Sequence, residues 1–184
     1  GIVLVESAAQ ARRRRYHTQK LAFLLANQRH FAREQARRGV AIEYRLTDGD
    51  AAEGLTPVIV RRGPLTVMRP AERELRVELA GLLADGSLRE VTHEGWLTSR
   101  ADFETGAGAN APWRMDAFYR YLRRNRNILM AEGKPIGGRF SLDGENRNPW
   151  PGEPTPPRAP RFRPDAVTRE VSALIEERFA DHPG

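Results

Sequence analysis

Three stretches decide the fold: Ile2-Val3-Leu4-Val5-Glu6, the run Leu21-Ala22-Phe23-Leu24-Leu25 inside a long polar segment, and Val40-Ala41-Ile42-Glu43-Tyr44-Arg45-Leu46. Ile2 to Val5 is an unbroken apolar run of strand length. Between Arg14 and Arg38 the apolar positions recur at helical spacing. Leu21, Leu24, Leu25, Gln28, Ala32 and Gln35 trace one face, Arg29, Arg33 and Arg37 trace another, and Gly39 ends the helix as its C-cap. Val40 to Leu46 then reads as a second strand centred on Ala41 and Ile42. Strand, long helix and strand in this order form a βαβ unit, because parallel pairing needs a crossover of about a dozen residues or more.

Outward from this unit the alternation continues. Asp48 to Gly63 is polar and glycine-rich before Val58-Ile59-Val60, so it suits either a short helix or an extra strand. Pro64 to Met68 reads as a strand. Pro70 opens a helix whose stripe is Leu75, Leu79, Leu82 and Leu83, and Arg89 to Thr92 closes the series as a short strand. The expected fold is therefore α/β: a Rossmann-like parallel sheet with flanking helices, occupying residues 1–110. The chain enters its first strand with no preceding loop, as expected of a domain truncated at its start. Beyond Leu97 comes a loop of small residues through Asn110, then a helix from Trp113 to about Met130 with Met115, Phe118, Tyr119, Leu122 and Leu129 inward. Residues 132–164 have little periodicity. Pro164-Asp165 caps a last helix, with Val167, Val171, Leu174 and Ile175 apolar, which reads as a connector. Residues 111–184 thus form a helical linker region.

Composition bounds the chemistry. The 184 residues carry a formal charge of +6, and basic blocks at 1–62 and 111–163 alternate with acidic ones at 63–110 and 164–184. Lys20 and Lys134 are the sole lysines. Arginine's planar fork suits phosphate, although a solvated face explains such runs equally well. With no cysteine, the chain itself supplies no disulfide, thiolate nucleophile or cysteine-held zinc or iron–sulfur site. No apolar run approaches the roughly 18–20 residues of a membrane span, and the apolar tetrapeptide precedes the basic Arg12–Arg15 run, the reverse of a signal peptide. A cytoplasmic location without membrane contact is expected.

No catalytic constellation stands out. His17, His30, His93 and His182 lack ligand-like spacing, and neither a P-loop nor a nucleophile elbow is present. Neither a catalytic nor a metal-ligating residue is assigned. What remains is a patterned surface. Arg120, Arg123 and Arg124 make a basic stripe beside Tyr119, followed by Arg139-Phe140 and Asp143-Gly144-Glu145-Asn146-Arg147. Such a mixture can track a phosphate backbone while offering aromatic faces to bases, or can hold one domain to another.

Several segments together resemble a known family. These are Ile2 to Glu6; His17-Thr18-Gln19-Lys20-Leu21-Ala22-Phe23 continuing to Arg29-His30-Phe31-Ala32; Met115-Asp116-Ala117-Phe118-Tyr119-Arg120 with Arg123-Arg124; and Pro135-Ile136-Gly137-Gly138-Arg139-Phe140 leading to Asp143 through Arg147. In order and spacing they are similar to the deoxyribodipyrimidine photolyase-related proteins, bacterial (6-4) photolyases and cryptochromes that carry an iron–sulfur cluster. The resemblance implies an N-terminal α/β domain that holds a lumazine antenna chromophore, followed by a helical domain that binds FAD and a cysteine-ligated [4Fe–4S] cluster. The FAD-binding helices and the cysteines have no counterpart in this chain, so the resemblance implies an antenna domain and linker without the reaction centre, not catalytic by itself. It also implies that the family's first strand, whose Gly-Asp-Gln-Leu loop lines the antenna pocket, is not represented.

Carried over by position, the antenna pocket falls on Val5, Glu6, Gln10, Arg13 and Leu24. Gln10 and Arg13 stand where the family has a glutamate and a tyrosine. Loss of that carboxylate forfeits a charge-assisted hydrogen bond of about 1.5–3 kcal/mol, so a phosphate-bearing or anionic chromophore, or none, is the alternative to lumazine. The DNA or interdomain surface falls on Tyr119, Arg120, Arg139, Asp143, Glu145, Asn146 and Arg147, with Arg147 on nucleic acid and Asp143 close to the lesion. The implied partners are the C-terminal flavin domain of the same protein and damaged DNA. The same architecture in a blue-light-sensing cryptochrome, or a free-standing Rossmann-like interaction domain, are the rival readings.

Overall fold

In the computed structural model, residues 1–108, 112–141, 143–144 and 148–184 are described. They divide into two compact units, Gly1–His93 with Arg161–Gly184, and Glu94–Pro160. This differs from the division at 110 and 111 expected above, and the last helix explains most of the difference.

In the first unit, β1 (Ile2–Ser7) leads directly into a five-residue helix, α1 (Ala8–Arg12). Ser7 makes that junction. Its hydroxyl accepts from the Gln10 N–H (3.0 Å) and donates to the Gly49 carbonyl (2.6 Å). The long helix, α2, spans Thr18–Arg37 instead of starting at Arg14. Its N-cap is His17, whose Nδ1 accepts from the Gln19 N–H (3.2 Å), while the Thr18 N–H donates to the Pro183 carbonyl (2.8 Å). Two N-terminal donors of the helix are thereby satisfied. β2 (Ile42–Thr47) pairs in parallel with β1, Ile2 opposite Ile42 and Ser7 opposite Thr47.

The ambiguous stretch after β2 is a helix, α3 (Ala51–Arg62), capped by Asp50, whose carboxylate accepts from the Glu53 N–H (2.9 Å). The cap outweighs Pro57, which lies inside the helix. Gly54 allows α3 to lie against β1: a Cβ there would sit 2.5 Å from Val5 Cγ1 and 3.2 Å from Thr47 Cγ2. Gly54→Val is expected to lower stability by about 1–3 kcal/mol, since packed cores resist added volume. A urea unfolding midpoint equal to that of the unaltered chain would contradict this.

A second parallel pair follows. β3 (Leu65–Met68) pairs with β4 (Leu88–Val91), Leu65 opposite Leu88. Between them the leucine stripe forms two short helices, α4 (Arg73–Glu78) and α5 (Ala80–Ala84), broken at Leu79. Leu79 and Leu88 are buried with Ala51, and Leu55, Ile59, Leu65, Leu75, Leu82 and Leu83 pack around them. The parallel strands with flanking helices agree with the Rossmann-like expectation, but the strands form two separate pairs among the described residues.

The last helix, α8 (Ala166–Arg178), is not a connector. Val167, Val171, Ile175 and Phe179 bury their side chains with Leu21 and Ala26 of α2 and Ala8 and Ala11 of α1. The helix therefore completes the core of the first unit. The reason lies in its pattern, a stripe at i, i+4 and i+8 that must be covered, and α2 supplies the facing stripe.

The second unit is built on α6 (Arg100–Ala107) and α7 (Met115–Asn125). The first of these was read as loop. Its signal is the capping box Ser99-Arg100-Ala101-Asp102, in which the Asp102 N–H donates to Ser99 Oγ (3.1 Å) and the Ser99 N–H to Asp102 Oδ2 (2.8 Å). Phe103 meets Phe118 and Trp113 edge-to-face at 5.3 and 5.7 Å, and Arg126 pairs with Asp102 at 3.1 Å. α7 ends at Asn125, short of Met130. A minimal hairpin of β5 (Met130–Ala131) and β6 (Lys134–Pro135) follows. No helix among the described residues is long and apolar enough to cross a membrane.

Candidate functional site

β1 pairs on one edge with β2, and its Ile2 N–H donates to Ala41. Backbone groups alternate along a parallel strand, so those of Val3 and Val5 point to the opposite edge. There the Val5 carbonyl accepts from Gln28 Nε2 of α2 (2.9 Å). Along this edge, near the carboxyl end of β1, lies a cavity of about 490 Å³ lined by Val5, Gln10, Arg13 and Leu24, with Leu21, Leu25, Tyr16, Gln28 and Lys20 among its other walls. Crevices at strand carboxyl ends are where open α/β sheets bind ligands. The size and the mixture of apolar wall with few polar groups suit a small heteroaromatic molecule. Four of the five carried-over pocket residues thus converge.

The fifth does not. Glu6 is adjacent to Val5 and points elsewhere, as successive strand residues must. Its carboxylate is buried and accepts from Arg29 Nε (2.9 Å) and Nη2 (2.6 Å) of α2 and from the Tyr44 hydroxyl of β2 (2.5 Å). Arg29 also donates from Nη1 to Glu170 Oε1 of α8 (2.8 Å). Glu6 and Arg29 line a separate cavity of about 140 Å³. Hydrogen bonding to Glu6 raises the guanidinium pKa of Arg29, and burial followed by the bond to Glu6 raises the Tyr44 phenol above its ordinary range. Glu6 therefore ties β1, β2 and α2 together.

Behind the larger cavity, Gln10 is oriented by Glu78 of α4: Gln10 Nε2 donates to Glu78 Oε2 (3.2 Å), which also accepts from the Ala51 N–H at the start of α3 (3.3 Å). Arg13 forms an ion pair with the same carboxylate, and Arg14 pairs with Glu74 at 2.8 Å. Glu78 lies 68 positions from Gln10, and no sequence spacing announces that contact.

In the second unit, a cavity of about 660 Å³ gathers Tyr119, Arg139 and Asp143 with Met115, Leu129, Ile136 and Phe140. Asp143 is held in a local turn with Ser141, whose Oγ donates to Oδ2 (2.8 Å). Arg120, Arg123 and Arg124 all approach the Phe140 ring, at 5.9, 5.3 and 4.8 Å from its centroid. These distances are in cation–π range. The stripe is not uniform, however. Arg123 is buried and donates to the carbonyls of Ile128 (3.1 Å), Phe140 (2.7 Å) and Leu129 (2.6 Å). It is the fastening of the turn after α7, where Asn127, Leu129 and Glu132 all have positive φ. Glu145, Asn146 and Arg147 lie outside the described residues.

An α/β unit with a ligand-sized crevice at a strand's carboxyl end, followed by an arginine-rich second unit, defines the class of protein. Within that class, the sequence matches over residues 1–184 the family described as deoxyribodipyrimidine photo-lyase-related protein. The chain is 33% identical over 192 aligned positions to "(6-4) photolyase" of Agrobacterium fabrum (strain C58), an alignment that takes in 100% of this chain and 38% of that protein's length. It is 26% identical over 147 positions to "Uncharacterized protein R852" of Acanthamoeba polyphaga mimivirus, covering 76% of this chain and 75% of the relative. The chain belongs to the photolyase-related family.

Proposed function

We propose that the chain is the N-terminal domain of a light-driven, flavin-dependent DNA-repair protein of the (6-4) photolyase kind, contributing an antenna-chromophore cavity and part of a surface for DNA or for the flavin domain. One observation carries this reading: Val5, Gln10, Arg13 and Leu24, carried over from the family's pocket, converge on one cavity of the right size at the end of β1. A chromophore seated there would collect light and pass its excitation to a flavin. The domain's own residues bind it, orient it and keep water from its apolar side. The cavity fits a lumazine-type ring in size and wall chemistry. FAD and the [4Fe–4S] cluster belong to a C-terminal domain that this reading requires, since the chain has no cysteine to ligate iron.

The cavity of the second unit supplies the other half of the role. Tyr119 offers a ring face, Arg139 and Arg120 offer charge to phosphate, and Asp143 offers an acceptor. Full-length protein, purified and illuminated with (6-4)-damaged oligonucleotides, is expected to restore the intact pyrimidines and to show an absorbance band beyond those of flavin. Damaged-DNA binding without repair would shift the role to blue-light sensing. Flavin bands alone would retire the antenna cavity.

A further inference from the structure

The larger cavity looks cationic in sequence, since Arg13, Arg14 and Lys20 border it. In three dimensions these charges are already answered. Arg13 is paired with Glu78, Arg14 with Glu74 at 2.8 Å, and the Lys20 ammonium lies 4.3 Å from the Tyr16 ring centroid. Glu72 and Glu74 are themselves on the wall. A phosphate entering here would have to displace a carboxylate from its arginine, and would then stand beside that displaced charge.

The two amides on the wall point the same way. A carboxylate and a backbone carbonyl only accept, so the partners of Gln10 (Glu78 Oε2, 3.2 Å) and Gln28 (Val5 carbonyl, 2.9 Å) fix which end of each amide is nitrogen. Both side-chain oxygens are left to accept. The matching ligand is uncharged and carries N–H or O–H donors on an apolar ring system.

Resting on the antenna-cavity reading above, we infer that this cavity selects an uncharged, donor-bearing heteroaromatic ligand over its phosphorylated counterpart. Glu78, whose side chain is 9% exposed behind Gln10 and Arg13, is the positioning residue that sets the choice. It holds the Gln10 amide in its accepting orientation and keeps Arg13 from a phosphate.

Riboflavin and its 5′-phosphate are suitable probes, since they differ by the phosphate alone and both report binding to the 184-residue chain by fluorescence quenching. Riboflavin is expected to bind at least about tenfold tighter, equivalent to about 1.4 kcal/mol. Glu78→Gln, which keeps an acceptor for Gln10 but frees Arg13, is expected to retain riboflavin and tighten the phosphate form until the preference is lost. Circular dichroism of this variant separates a change of choice from a loss of fold. Equal or tighter binding of the phosphate form by the unaltered chain overturns the inference and leaves the cavity reading standing. An unchanged preference in folded Glu78→Gln overturns the role of Glu78. Binding of neither probe overturns the inference and the cavity reading together.

Discussion

Glu6→Ala lowers the stability of the first unit by about 3–5 kcal/mol, the usual cost of removing one member of a buried ion pair and leaving the other unanswered. Arg29 would lose two of its three carboxylate contacts and keep Glu170, which is largely exposed. Tyr44 would lose the acceptor of its hydroxyl. Because the carboxylate joins β1 to β2 and α2, the loss falls on the packing of all three. Denaturant unfolding measures the size of the effect, and a change below about 1 kcal/mol would sink this account. Glu6→Gln is expected to do less harm, since its amide oxygen still accepts. A second readout follows from Tyr44, whose phenol is raised by burial and by the Glu6 bond. A raised pKa favours the neutral form in the fold. The corresponding stability is complete below the ordinary phenol value of about 10 and is lost as pH rises from there through the raised value. Phenolate absorbance of the unaltered chain should show one of the four tyrosines ionising late.

Arg123→Met is the second large effect. The methionine keeps much of the stem's packing and removes the donors, leaving the carbonyls of Ile128, Leu129 and Phe140 without that partner. At about 1–3 kcal/mol for each buried group left unsatisfied, and with water reaching some of them, a loss of about 3 kcal/mol is expected in the second unit. The turn it fastens holds Leu129 at φ 50 and Asn127 at φ 52. Backbone of this kind persists where surrounding contacts over-determine it. Hydrogen exchange should therefore speed up across residues 126–140 in the variant, while amides of the α2–α8 core keep their protection. Uniform exchange in both proteins would show that Arg123 is a surface charge after all. Arg123→Lys should behave like the methionine variant, because an ammonium cannot reach three separate carbonyls in the guanidinium's geometry.

These two residues also show where sequence reading stops. Glu6 was placed with Val5 because both fall on one carried-over segment, yet strand alternation sends neighbouring side chains to opposite sides, and Arg29 and Tyr44 claim the carboxylate. Arg123 belongs to a stripe of arginines that helical spacing makes look alike. Its burial follows from how the chain turns after Asn125, which no periodicity encodes. α6 was legible in principle through Ser99 and Asp102. The shift in the start of α2 was less so, because its first N–H is met by Pro183, 165 positions away.

The sequence by itself determined the alternation of strands and helices, the apolar faces of α2 and α8, the cap at Asp165 and the family to which the chain belongs, because each rests on local spacing or on the order of segments. Tertiary structure decided that α8 closes the first core, that Gln10 and Arg13 answer to Glu78, and that Glu6 is a fastening instead of a cavity wall. Those outcomes depend on which partner reaches a charged or amide group first in space, and a buried charge is stable only beside the partner the fold brings to it.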